Sequence, residues 1–254
     1  MTVGKIFAAG RPALVGYLPA GFPTVEGGIE AITAVVDAGV DAVEVGFPYS
    51  DPVIDGPVIQ RATEAALAAG VRPADVLRTV ERVAALGVPA VVMTYWNPME
   101  RYGVARFARD LAAAGGAGLI TPDLIPDEAG EWIAASDEHG LDRIFLVSPS
   151  STEARVRSTT AACRGFVYAT ALMGVTGARD QVSSDAPALV ERVRAVTRTP
   201  VAVGLGVRDG AQAAAIGAFA DGVIVGSALV AALAEGGIAA VAALTADLAA
   251  GVRA

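Results

Sequence analysis

The chain has 254 residues, with 27 acidic and 19 basic side chains and a net charge of −8. That balance excludes a sequence-independent binder of nucleic-acid backbones, which needs basic stripes. Apolar residues at 54% and charged ones at 18% exclude intrinsic disorder, and one cysteine, Cys163, excludes a disulfide framework and a cysteine-rich zinc site. No run of about 18 apolar residues is free of charge, and no apolar stretch with a cleavage signal opens the chain. The expectation is a cytoplasmic protein with no membrane span and no nucleic-acid partner.

In chain order, short β-branched runs alternate with Ala-rich amphipathic stretches. Strands are expected at 14–18, 42–46, 90–94, 118–121, 144–147, 166–169, 201–204 and 222–225. Helices are expected near 25–38, 57–69, 74–86, 102–115, 127–139, 152–161, 184–197 and 209–218, with a helical tail from about 227 to 252 broken at Gly236-Gly237. Eight strand–helix units in about 250 residues is the arithmetic of one α/β domain, a (β/α)8 TIM barrel with extra helices, spanning 1–254. A doubly wound sheet is the alternative, but no G-x-G-x-x-G follows the first strand. In a barrel, chemistry belongs at the C-terminal strand ends and the loops that follow them.

The second strand reads Asp41-Ala42-Val43-Glu44-Val45-Gly46. Alternation turns Val43 and Val45 to the helices and Ala42, Glu44 and Gly46 to the barrel interior. A carboxylate buried there has a raised proton affinity, as a general acid or base near neutral pH requires. The loop that follows, 47–57, carries Asp51, Asp55 and three prolines. A long, stiff acidic loop in that place exceeds what capping alone requires.

Three late strand ends carry glycines: Gly174-Val175-Thr176-Gly177, Gly204-Leu205-Gly206 and Gly226-Ser227. Glycines admit close backbone approach, and a helix opening at Ser227 offers free N–H groups to an anion. The set points to a phosphate-bearing ligand held without net positive charge. Tyr17, Tyr95 and Tyr168 lie at or beside strand ends and offer walls for a flat ring. His139 before Gly140 reads as a helix C-terminus. Lys5, the only lysine, precedes the first strand, which excludes a Schiff-base aldolase mechanism. No His, Cys and carboxylate spacing suggests a metal.

Several stretches together resemble one family. They are Leu18-Pro19-Ala20-Gly21-Phe22-Pro23, Glu44-Val45-Gly46-Phe47-Pro48-Tyr49-Ser50-Asp51-Pro52, Asp55-Gly56-Pro57-Val58-Ile59-Gln60, Met93-Thr94-Tyr95-Trp96-Asn97-Pro98, Pro122-Asp123-Leu124 and Gly174-Val175-Thr176-Gly177. The pattern is similar to the tryptophan synthase α chain over essentially the whole length. The resemblance implies a (β/α)8 lyase of tryptophan biosynthesis that cleaves indole-3-glycerol phosphate to indole and glyceraldehyde 3-phosphate. It implies no cofactor of the chain's own, and a β chain carrying pyridoxal phosphate as partner in an αββα complex.

By motif it implies Glu44, Asp55 and Tyr168 as catalytic, with Gly177, Leu205, Gly206, Gly226 and Ser227 at the phosphate. Tyr17, Ile59, Met93 and Tyr95 fall at the ring pocket, and Asp51 and Asn97 face the partner. Ala171, Leu172 and Met173 stand where many members have Ser-Arg-x, Ile54 where Ala is usual, and Leu205 where Phe is common. The alternatives are a stand-alone lyase releasing free indole and a non-catalytic activating subunit.

Overall fold

The computed structural model describes residues 2–170, 185–204 and 206–254. Eight parallel strands, β1 (Ala13–Pro19), β2 (Ala42–Gly46), β3 (Ala90–Met93), β4 (Gly118–Thr121), β5 (Asp142–Val147), β6 (Val167–Thr170), β7 (Val201–Gly204) and β8 (Gly222–Val225), pair in sequence order. The ring closes through β1 and β8, with Val15 beside Ile224. The expected strands are all present, displaced at their ends by at most two residues.

Helices α1 (Val25–Asp37), α2 (Pro57–Ala68), α3 (Pro73–Ala85), α4 (Trp96–Tyr102), α5 (Val104–Ala113), α6 (Gly130–Glu138), α7 (Glu153–Ala162), α8 (Asp185–Arg194), α9 (Gly210–Gly217) and α10 (Ser227–Val252) surround the described strands. The helix expected near 102–115 is α5, and α4 before it is a short helix that the sequence reading does not include. Gly103, at φ 93°, ends α4 and opens α5, a left-handed position that suits glycine. His139 is the C-cap residue of α6.

Two apolar layers follow from strand alternation. Val43, Val45, Leu119 and Val203 face outward with Ile32, Val80, Phe107 and Leu248 of the helices. Val15, Ala42, Val91, Ile120, Ile144, Phe166, Ala202 and Ile224 fill the barrel, as packed barrel interiors require. The sequence reading had no element before β1. A 3-10 helix, Val3–Ala9, stands there. Its Val3 is fully buried and donates its N–H to the Asp142 carboxylate at 2.7 Å, while Phe7 meets Phe166 at 5.7 Å. This seals the N-terminal end and leaves the other end for chemistry.

Helix α10 is long and apolar enough, by length and composition, to cross a membrane. Gly237, at φ 67° and ψ −160°, kinks it at the expected break. Its buried Leu229, Val230, Leu233, Val241 and Leu248 belong to the barrel's outer apolar layer.

Candidate active site

Glu44 lies at the third position of β2, beside Tyr17 of β1 and Val91 of β3. It is 2% exposed, on the inward parity of Ala42. Its Oε2 has no hydrogen-bond partner among the described residues. Burial first, and the charge of Asp55 second, push its carboxyl up to about 8. At neutral pH Glu44 is therefore an uncharged acid.

Asp55 ends the loop after β2. The N-cap residue before α2 is Gly56, so Asp55 is no helix cap. Burial pushes its carboxyl up to about 6, and a hydrogen bond from the Tyr95 hydroxyl restrains that rise. Asp55 is thus largely ionised at pH 7 while its neighbour holds a proton. Tyr17 and Tyr168 are pushed well above 10, first by burial and then by the two carboxylates. Both stay neutral hydroxyls, and the four groups share one electrostatic environment at one end of the barrel.

Two glycines make room for these tyrosines. A Cβ on Gly46 would stand 2.4 Å from the Tyr17 hydroxyl, and one on Gly204 would stand 2.4 Å from the Tyr168 hydroxyl. Both are steric partners of tyrosines on the neighbouring strand, a role sequence reading missed. A glycine closing a strand opposite a tyrosine is the signal that carries it.

The remaining expected residues divide. Gly226 is the uncapped residue before α10, and Ser227 opens that helix, 7% exposed. A helix start without a side-chain cap leaves N–H groups for an anion. Gly206 adopts φ 57° after β7. Gly177 and Leu205 lie outside the described residues, as do Ala171, Leu172 and Met173. Ile59 is buried on the first turn of α2 in the cluster that holds Tyr17. Met93 closes β3 beside Gly46, and Tyr95 is 5% exposed just beyond it. Asp51 and Asn97 are exposed. Asp51 accepts from Ser50 Oγ at 2.5 Å, and Asn97 donates to the Tyr49 hydroxyl at 2.8 Å. An open hollow of about 500 Å³ lies beside them, lined by Tyr49, Asp51, Asn97, Pro98, Arg101 and Tyr102.

Comparison with known proteins fits this arrangement. The family model described as tryptophan synthase alpha chain matches residues 4–250. The chain belongs to the tryptophan synthase alpha chain family. A tryptophan synthase alpha chain from Salinispora arenicola is 68% identical, covering 98% of this chain and 95% of that one. A structure of Mycobacterium tuberculosis tryptophan synthase superposes with a TM-score of 0.95 at 62% identity, over 99% of this chain and 98% of that one. The tryptophan synthase A-subunit of Pyrococcus furiosus, 31% identical, superposes at 0.86 over 94% and 98%. Tryptophan synthase alpha chains are lyases of tryptophan biosynthesis, and the barrel and the carboxylate-bearing mouth are what that chemistry needs.

Proposed function

We propose that Glu44 and Asp55 divide the work of the family's α reaction, cleavage of indole-3-glycerol phosphate to indole and glyceraldehyde 3-phosphate. Indole leaves poorly as a carbanion, so ring carbon C3 must first gain a proton. Neutral Glu44 donates that proton, giving an indolenine cation and a carboxylate. The carboxylate then takes the proton from the side-chain hydroxyl on the carbon attached to C3. The O–H electrons form the aldehyde C=O, the C–C bond breaks, and its pair returns to the ring. Glu44 ends protonated, as it began.

Asp55, ionised beside it, accepts the ring N–H and stabilises the positive charge that forms there. Two carboxyls in different environments thus separate acid/base work from electrostatic work. Tyr168, neutral and close to both, contacts the reacting side chain. The phosphate binds at Gly206, Gly226, Ser227 and the N-terminus of α10, with Gly177 and Leu205 completing the cradle. It supplies orientation and binding energy remote from the bond that breaks. Tyr17, Ile59 and Met93 enclose the ring, with the phenyl face of Tyr95.

The chain uses no cofactor in this scheme. Its partner is a β chain bearing pyridoxal phosphate, in an αββα assembly in the cytoplasm, and Asp51 and Asn97 face that partner. The observation that carries the reading is the Glu44 carboxyl buried in the barrel interior with an unpartnered Oε2, its proton affinity raised by burial and by Asp55. Glu44→Gln tests it: cleavage is lost while glycerol 3-phosphate still binds. Near-normal turnover removes Glu44 from the mechanism.

A further inference from the structure

We propose that Tyr95 is a positioning residue for the cleavage, its hydroxyl holding the loop after β2 and aiming the Asp55 carboxylate. The inference rests on the reading of Asp55 as acceptor for the ring N–H and adds what orients that acceptor. A phenol oxygen has one proton and two lone pairs. Here the oxygen accepts the backbone N–H of Val53 at 3.1 Å and of Ile54 at 3.0 Å. With both lone pairs engaged, its proton is left to face the neighbouring Asp55 carboxyl, whose proton affinity it lowers. A phenol proton is held more strongly by a carboxylate than by a neutral carboxyl, so the network favours the ionised form of Asp55.

The donor is itself held in place. Tyr95 precedes α4, whose first N–H, on Trp96, is capped by the Asp123 carboxylate at 3.0 and 3.1 Å. The ring lies 5.4 Å from that of Tyr49, and the residue is 5% exposed. Elsewhere the loop is held at its ends, by the Phe47 N–H on the Met93 carbonyl and by Asn97 on the Tyr49 hydroxyl. Val53 is 71% exposed, and Gln60 Nε2 donates to the Asp55 carbonyl at 2.7 Å. One oxygen thus ties two loop amides and one carboxylate to the rigid end of β3. The groups whose charge states couple to Asp55 are Glu44 of β2, Tyr17 of β1, Tyr95 itself and Tyr168 of β6. None is a cation, so the Tyr95 proton is the described influence favouring the Asp55 anion.

A ring-pocket wall and a positioning hydroxyl differ in one substitution. Tyr95→Phe keeps the ring and removes the oxygen, so a wall role leaves it silent. The positioning role lowers kcat about tenfold at pH 7, as loss of a charge-assisted bond does, with KM within about twofold. Asp55 is followed directly in ligand-free enzyme labelled with carboxyl-¹³C aspartate, its resonance assigned by its absence in Asp55→Asn. Its midpoint rises by about one unit in Tyr95→Phe. Replacing Tyr95 by 3-fluorotyrosine, a more acidic phenol of nearly the same shape, moves the midpoint down and carries the test should Tyr95→Phe fold poorly. An unchanged midpoint in either protein, with unchanged kcat in Tyr95→Phe, overturns the inference while leaving the role of Asp55 intact. Normal cleavage by Asp55→Asn overturns the inference together with the reading beneath it.

Discussion

Replacing Glu44 by Gln perturbs activity and stability in different directions. In the folded chain Glu44 keeps its proton to about pH 8, whereas its ordinary value is 4.5. Between those values the folded state holds one proton more than the unfolded state, so stability falls as pH rises. The shift of about 3.5 units corresponds to about 5 kcal/mol in full. Integrated over the two titrations, about 4 kcal/mol of it is lost between pH 5 and pH 9. Glutamine cannot ionise, so that part of the pH dependence disappears in the variant. Asp55 titrates in both proteins, and its contribution cancels in the comparison. Urea unfolding at pH 5, 7 and 9 reads the difference: the parent loses about 4 kcal/mol more than Glu44→Gln over this range. At pH 7 the same variant loses about 10³-fold or more in cleavage, since one group serves both proton transfers. Parallel stability curves refute the buried neutral acid, whatever happens to the rate.

Further outcomes follow from the same geometry. The log of kcat/KM against pH is a bell with limbs near 6 and 8, because the active form pairs ionised Asp55 with protonated Glu44. Activity rising steadily above pH 9 contradicts that assignment. Asp55→Asn lowers kcat about 10²- to 10³-fold, as loss of a charge-stabilising group does, and leaves glycerol 3-phosphate affinity within about threefold by calorimetry. Ser227→Asp sets a negative charge at the start of α10 and weakens glycerol 3-phosphate binding about tenfold or more. Gly204→Ala drives a Cβ to 2.4 Å from the Tyr168 hydroxyl. It costs about 1–3 kcal/mol by thermal unfolding and depresses cleavage by displacing that ring.

What sequence conveys and what it withholds divide along physical lines. The inward aim of Glu44 needs only the two-residue period of a strand and knowledge of which face is apolar, both visible in 41–46. The barrel was legible because eight β-branched runs each precede an Ala-rich amphipathic segment. The helix near 102–115 is legible in the same way, whereas Trp96–Tyr102, two turns closed by Gly103, is too short to show an apolar period. The floor formed by Val3–Ala9 depends on Asp142, far along the chain, accepting the Val3 N–H. The pairing of Gly46 with Tyr17 and Gly204 with Tyr168 depends on register between strands. The Tyr95 hydroxyl was hardest to read: its partners are loop amides about 40 residues earlier, and tyrosine at a pocket edge already had an adequate apolar explanation.

The most direct measurement of the central claim is a crystal structure of Glu44→Gln with indole-3-glycerol phosphate bound. The account predicts the side-chain amide within about 3.5 Å of ring carbon C3, a reach suited to proton transfer. It also predicts the ring N–H on Asp55 and the phosphate against Gly226 and Ser227. A ring seated away from residue 44, or a phosphate held elsewhere, contradicts it.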